Sequence, residues 1–299
     1  MKLPDLNELL VLRGAARSFR LPAHGTARAQ LLGNHRGAHR GRGLEFEEVR
    51  PYAAGDDTRS IDWRVTARRG RLHTKLFREE RERPVWLLVD LQPGMFFASR
   101  SQLKSALAVR AAALLSWVAA LRGDRIGALI ANGSETRCLV PRAREAGVLP
   151  ILNTLLKLQP RAPAAPIPGN LQTALGLLTP LVHPGSLILA LSDFAGLHED
   201  GEALWLASSA HAECRLYWIT DALEQDGLPD GKYRGGIPGR LWALDGAESR
   251  RQWLAAWRDR AARVESLARR LRTQPIRLDT GSSLEQALEP SLRAPQIAA

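Results

Sequence analysis

PVWLLVDL, residues 84–91, is the stretch on which the fold turns: a run of large apolar residues that reads as a buried strand and ends on one carboxylate, Asp90. A second run, SLILALSDF at 186–194, lies between Gly185 and Gly196 and ends in the same way on Asp193. Continuous apolar runs of this length fit strands buried on both faces, as in a parallel sheet covered by helices.

Between the two runs the periodicity changes from strand to helix. Leu103, Leu107, Ala111, Leu114, Leu115 and Val118 recur at helical spacing and predict a core-facing helix over about 101–121. RIGALIA and ETRCLVP then read as two short strands joined at Asn132-Gly133, a dipeptide suited to a hairpin. A helical stretch follows over 142–158, with a break expected at Pro150, and the proline-rich PRAPAAPIPGN is a loop before a helix at 171–178. Beyond Asp193 the pattern predicts a helix at 202–211, the strand CRLYWIT, a Gly/Pro-rich excursion at 226–239, a short strand RLWALD, a long Arg-rich helix at 247–272 and a last strand PIRLDT. Strands alternating with helices of this length indicate a doubly wound, Rossmann-like α/β fold with a mostly parallel sheet, whose C-terminal strand ends carry the site. The expected organisation is 1–83 as an N-terminal helix, basic loop and accessory element, 84–290 as the α/β domain and 291–299 as a tail.

Upstream of residue 84 the texture is different. Leu3, Leu6, Leu9 and Leu10 predict a short amphipathic helix, and residues 21–43 contain no acidic residue but do contain Arg28, Arg36, Arg40 and Arg42, which reads as a flexible basic loop. The segment 44–83 then mixes carboxylates, arginines and one Trp densely. Within it, Asp56 and Asp57 suit a turn and the N-cap of a short helix containing Ile61-Asp62-Trp63. Trp63 offers an apolar anchor, and Arg50, Arg59 and Arg68 are available to pair with Glu45, Asp56, Asp62 or Glu79. An internal bracing unit, a partner-docking surface and a small-anion site are all consistent with that composition.

The 299 residues carry 42 Lys+Arg against 31 Asp+Glu, a net charge of +11, which favours anionic partners without selecting one. Acidic residues at Asp5 and Glu8 argue against a signal peptide. The longest apolar stretch, at 111–121, is short of the roughly 20 residues a membrane span needs, so no integral membrane segment is expected. Two cysteines, Cys138 and Cys214, read as buried residues of a reducing, cytoplasmic protein. P-loop, H-E-x-x-H, G-x-S-x-G and C-x-x-C motifs do not occur.

Two resemblances sharpen this reading. Asp90 and Asp193 at successive strand ends resemble the von Willebrand factor A fold, whose metal-ion-dependent adhesion site reads D-x-S-x-S after the first strand, with a Thr from a later loop and an Asp from the central strand. Here the first motif is Asp90-Leu91-Gln92-Pro93-Gly94 and Gly169 stands where the Thr belongs, so the hydroxyl ligands are missing. The resemblance implies a degenerate site at Asp90 and Asp193. Two carboxylates with water hold Mg²⁺ weakly at best, Thr173 and Ser192 are the substitute oxygens, and a purely structural pair is the alternative. The second resemblance rests on Gly41-Arg42-Gly43-x-Glu45-Phe46, Val49-Arg50-x-Tyr52, Gly55-Asp56-Asp57-x-Arg59-x-Ile61-Asp62-Trp63 and Ala67-Arg68. These spacings are similar to those of the bacterial family called domain of unknown function 58, in which such a segment leads into a von Willebrand A-like domain.

That resemblance implies a non-enzymatic protein-interaction module, an adaptor for a MoxR-type AAA+ ATPase in client maturation, with no cofactor beyond a weakly held Mg²⁺. The signature residues Arg50, Tyr52, Asp56, Asp57, Arg59, Asp62, Trp63 and Arg68 would then bind the partner or brace the domain. Two other readings stay open: a Mg²⁺-dependent enzyme acting on nucleic acid through Asp56, Asp57, Asp62 and Lys75, and a basic protein that binds anionic surfaces through residues 21–43.

Overall fold

In the computed structural model of the chain, residues 2–21, 44–53, 56–79, 83–165, 167, 169–237 and 239–292 are described. Two compact units emerge, one formed by residues 1–25 with 83–299 and the other by 26–82. Of the proposed basic loop at 21–43, everything beyond Leu21, with Arg28, Arg36, Arg40 and Arg42, lies outside the described residues, as do Gly55 and, of the expected tail at 291–299, the residues from 293.

The larger unit begins with helix α1 (Leu6–Ala15), whose N-cap Asp5 accepts a hydrogen bond from the Glu8 backbone N–H. The smaller unit contains strand β1 (Leu44–Pro51), helix α2 (Trp63–Arg69) and strand β2 (His73–Glu79). The chain then returns to the larger unit through β3 (Pro84–Asp90), α3 (Lys104–Leu121), β4 (Arg125–Ala131), β5 (Thr136–Ala143), α4 (Arg144–Leu158), α5 (Asn170–Leu178) and β6 (Ser186–Ser192). It ends with α6 (Glu199–Ser209), β7 (Ala212–Thr220), α7 (Ala222–Asp226), the hairpin β8 (Lys232–Ile237) and β9 (Arg240–Asp245), α8 (Gly246–Arg270), β10 (Ile276–Asp279) and α9 (Leu284–Leu292).

Six strands form one sheet in the order β10-β7-β6-β3-β4-β5, parallel throughout except for the antiparallel pair β4/β5. Alternate residues of β3 enter opposite cores. Val85, Leu87 and Val89 pack with α1, α3, α4 and α9, whereas Trp86 and Leu88 pack with α5, α6 and α8. Helices thus cover both faces, which is why β3 and β6 show no polar alternation. Helix α3 is apolar nearly all round because nearly all of it is enclosed. By length and composition its 18 residues could cross a membrane, but 83% of that window is buried inside the fold, the place of a core helix.

Several sequence expectations needed correction. The N-terminal helix belongs with the α/β unit and not with the accessory element, because Leu9 is fully buried and its carbonyl accepts from Trp117 Nε1 at 3.0 Å. Pro150 does not break α4, which runs through it. RLWALD leaves the main sheet and pairs with β8 in a separate hairpin. Helix α9 carries no signal strong enough to have been read. Cys138 is exposed on the edge strand β5, and only Cys214 is buried.

One close approach fixes the β4/β5 edge. A Cβ on Gly127 would sit 2.6 Å from Leu139 O and 2.7 Å from Pro141 N, backbone atoms that cannot swing away, at the point where the register shifts. Gly127→Ala is therefore expected to cost about 1–3 kcal/mol, read as a lowered urea midpoint. An unchanged midpoint would show that the hairpin yields without cost.

Candidate functional site

The chain turns back at β3, which has β4 on one side and β6 on the other, so the C-terminal ends of β3 and β6 form the sheet's switch point. The parallel register Val89↔Leu191 sets Asp90 level with Ser192 and places Asp193 one residue beyond. The two aspartates expected to converge are therefore neighbours. They do not face an open crevice, since each is only 2% exposed.

Every Asp90 oxygen already accepts hydrogen bonds. Asn170 Nδ2 donates to Oδ1 at 2.8 Å and Gln92 N at 3.2 Å, while Ser192 Oγ donates to Oδ2 at 2.8 Å. Asn170 Nδ2 also lies 3.4 Å from Ala131 O, which fixes its amide with nitrogen toward Asp90. Gly169, at the position aligned with the missing Thr, has φ +74°, a backbone conformation that β-branched residues strongly disfavour. Next to it, Asn170 presents Asp90 with an N–H donor. Among the described residues no hydrogen bond joins Thr173 to either aspartate, and Ser192 serves Asp90 as a donor.

Asp193 is held differently. Its Oδ1 accepts from Ala195 N at 3.0 Å, and its Oδ2 lies 2.6 Å from Lys104 Nζ. Lys104 is 2% exposed and reaches Glu224 Oε1 at 3.0 Å, and Arg260 Nη1 lies 3.1 Å from the same oxygen. Two further strand-end carboxylates flank this group. Asp221 accepts from Ser99 N at 2.8 Å and Thr280 Oγ1 at 2.6 Å, and Asp279 accepts from Gly281 N at 2.8 Å.

The electrostatics follow from these partners. Burial, reinforced by the Asp193 charge, pushes Asp90 up to about 6 despite its hydrogen bonds. Burial alone would raise Asp193 as well, but the Lys104 ammonium, with help from Arg260, holds it below the usual carboxylate range. Burial opposes the charge on Lys104, and Asp193 and Glu224 override it to raise that pKa. Asp221 is lowered: its hydrogen bonds, led by those from Ser99, outweigh the upward pull of burial.

A pH dependence follows. Folded Asp90 keeps its proton to about 6, whereas the unperturbed group releases it near 3.8, so between those values the folded state binds more protons. Stability must then fall as pH rises across that interval, and Asp124, raised by burial to about 6, adds to the same slope. Asp90→Asn should flatten the decline in urea stability between pH 3.8 and about 6; an identical decline in the variant would contradict the assignment.

Mg²⁺ needs oxygen ligands in near-octahedral array at about 2.0–2.1 Å. Here Asp90 faces N–H and O–H donors, and Asp193 faces an ammonium, so the residues do not fit the ion that the adhesion-site resemblance implies. Among the described residues no cluster of three or more His, Cys, Asp or Glu side chains is arranged to hold a metal.

The signature element divides its residues between two tasks. Asp56 Oδ1 pairs with Arg50 Nη2 at 2.7 Å, its Oδ2 accepts from Ala53 N at 2.9 Å, and Tyr52 Oη donates to the Asp56 carbonyl at 3.2 Å. Asp57 caps the turn at Thr58–Ser60, and it is Asp62 that caps α2, accepting from Arg64 N at 3.0 Å and Val65 N at 3.1 Å. Trp63 is not the expected anchor, because it is 67% exposed at the first position of α2. Among the described residues Arg59, Arg64, Arg68, Arg69 and Arg71, all exposed, form no ion pair, and they lie within eight residues of Trp63 along the chain. The side chains of Glu45, Lys75 and Glu79 lie outside what the structure describes.

Lys104, Glu224, Asp221 and Asp279 escaped sequence reasoning. Lys104 left a signal, since it is a lone cation at the head of an apolar helix. WITD and IRLD, like the two runs first noticed, end on aspartate.

A family model described as protein of unknown function DUF58 matches residues 48–234. Uncharacterized proteins of Mycobacterium tuberculosis strain H37Rv and of Mycobacterium bovis are each 34% identical over 185 residues, 62% of this chain. The chain spans 58% of the length of these relatives. Among solved structures, the conserved hypothetical protein BatB from Bacteroides thetaiotaomicron matches over 70% of this chain and 96% of its own, at 15% identity and a TM-score of 0.42.

Proposed function

The chain belongs to the family of proteins of unknown function DUF58, and from that premise we propose that it is a non-enzymatic interaction module. In this reading a von Willebrand A-like domain acts as an adaptor for a MoxR-type AAA+ ATPase during client maturation. The observation that carries the proposal is the exposed Trp63 at the start of a helix that also carries the exposed Arg64, Arg68 and Arg69, within the residues the family model matches. Trp and Arg dominate the energetics of protein interfaces, whereas a Trp left two-thirds in water adds little to a fold. Exposed guanidinium groups that form no ion pair among the described residues suit an acidic protein face, which they recognise through bidentate contacts.

The strand-end aspartates supply the second line of support. Asp90, Asp193, Asp221 and Asp279 hold loops together through hydrogen bonds and ion pairs, as suits a rigid scaffold that presents surfaces. The cytoplasmic setting and the adaptor role are inferences from the resemblance, and the test is direct. Purified protein should form a complex with a MoxR-type AAA+ ATPase of the same organism in at least one nucleotide state, measured by sedimentation. No complex in either state would refute the proposal.

The alternative of a Mg²⁺-dependent nuclease draws on the same segment, but Asp56, Asp57 and Asp62 are all engaged in caps and an ion pair. Asp62→Ala is expected to loosen α2 by about 1 kcal/mol, the worth of an N-cap, seen as faster amide exchange over residues 63–69. Loss of a Mg²⁺-dependent cleavage activity in that variant would favour the nuclease instead. Binding to nucleic acid through the arginines would show itself as an affinity for duplex that collapses with salt.

A further inference from the structure

We propose that Lys104 is a tethered cation standing where a metal ion would otherwise sit, making the switch point of the sheet a metal-independent latch. Three loops meet on one ammonium. Lys104 opens the helix that follows β3, Asp193 follows β6, and Glu224 lies in the short helix after β7. Nζ reaches Asp193 at 2.6 Å and Glu224 at 3.0 Å, and all three side chains are at least four-fifths buried. A lysine has three donors and no acceptor, so it can bridge carboxylates from separate loops as a cation does.

A divalent ion cannot join this arrangement. To ligate Asp193 Oδ2 it would have to enter the volume held by the ammonium, and Arg260 places a second positive charge on Glu224 Oε1 at 3.1 Å. The remaining Asp90 oxygens face donors. A covalently attached cation does not exchange with solvent, so the three loops stay joined whatever the metal supply.

Removing the lysine should reverse the situation. Asp193 Oδ2 and Glu224 Oε1 would lose their shared partner, and Glu224 Oε2 is already buried without a hydrogen bond. Lys104→Ala would then present carboxylate oxygens from two loops to a space the size of the lost side chain.

The experiment uses the full chain, with Mg²⁺ and Ca²⁺ as probes. Isothermal titration of wild type should give no binding heat, and its melting temperature should be the same in EDTA and in millimolar Mg²⁺ or Ca²⁺. Lys104→Ala should melt earlier and recover part of the loss on addition of either ion, with affinity at least about tenfold above wild type once the repelling charge is gone. Lys104→Arg, which keeps a cation, should stay indifferent to both. Wild-type binding of either ion that Asp193→Asn abolishes would overturn the proposal, as would a Lys104→Ala protein that folds yet ignores both ions. Should Lys104→Ala fail to fold, the wild-type titration with Asp193→Asn and the response of Lys104→Arg still decide the matter.

Discussion

Lys104→Met should lower the free energy of unfolding by about 3–5 kcal/mol, the cost of leaving buried carboxylates without their cation. The substitution preserves length and apolar stem, so little of the loss comes from packing. Asp193, whose pKa Lys104 holds down, would in the variant be a charged group in the interior with one backbone N–H as its remaining hydrogen bond. A group depressed in the folded state contributes stability that is present above its unfolded pKa of 3.8 and lost as pH falls through the folded value. The deficit of Lys104→Met should therefore be largest at neutral pH and shrink in acid, where its Asp193 takes up a proton. The raised pKa of Lys104 keeps wild type charged throughout that range. A cycle with Asp193→Asn should show the double variant losing less than the sum of the single losses, by about 0.5–3 kcal/mol. Additive losses would mean that the two side chains do not act on each other.

Trp63→Ala should behave in the opposite manner. The side chain is 67% exposed, so folding stability should change by no more than about 0.5 kcal/mol. Affinity for the AAA+ partner should fall by about 2–4 kcal/mol, or about thirtyfold and more, as for an interface hot spot. Charge reversal at Arg64, Arg68 or Arg69 should slow association, and the effect should weaken with salt, because rim charges steer encounter more than they hold the complex. A stability loss in Trp63→Ala comparable to its binding loss would return Trp63 to the role of a packing anchor.

Much of the fold was legible because its signals are local. A strand covered on both faces must be apolar at every position, and β3 and β6 are; a helix enclosed by a sheet and its neighbours must be apolar at its buried spacings, and α3 is. Asp90 and Asp193 were found for the same reason, since each closes a long apolar run. What escaped was set by partners distant in sequence. Lys104 and Asp193 are 89 residues apart, and nothing near either one announces the other. Glu224 sat in a stretch without periodicity, in a helix of only five residues. Trp63 was misjudged because a large apolar side chain is ordinarily buried, and only the fold reveals that this one begins a helix whose outer face it occupies. The β8/β9 hairpin was not foreseen, because 226–239 read as a Gly/Pro-rich excursion and a strand's pairing partner depends on the whole topology.

The adhesion-site reading changed most on passing from sequence to structure. Missing hydroxyls suggested a weakened metal site, whereas the geometry shows that Asn170 and Lys104 supply donors to Asp90 and Asp193, where a metal would require acceptors. The proposed interaction role therefore rests on the surface around Trp63 and not on a metal site.

The most direct measurement is the affinity of the purified chain for the proposed partner, a MoxR-type AAA+ ATPase of the same organism, compared with that of Trp63→Ala at matched stability. The account predicts a complex for wild type in one nucleotide state and its loss by thirtyfold or so in the variant. Equal affinities for the two proteins, or no complex for either, would contradict it.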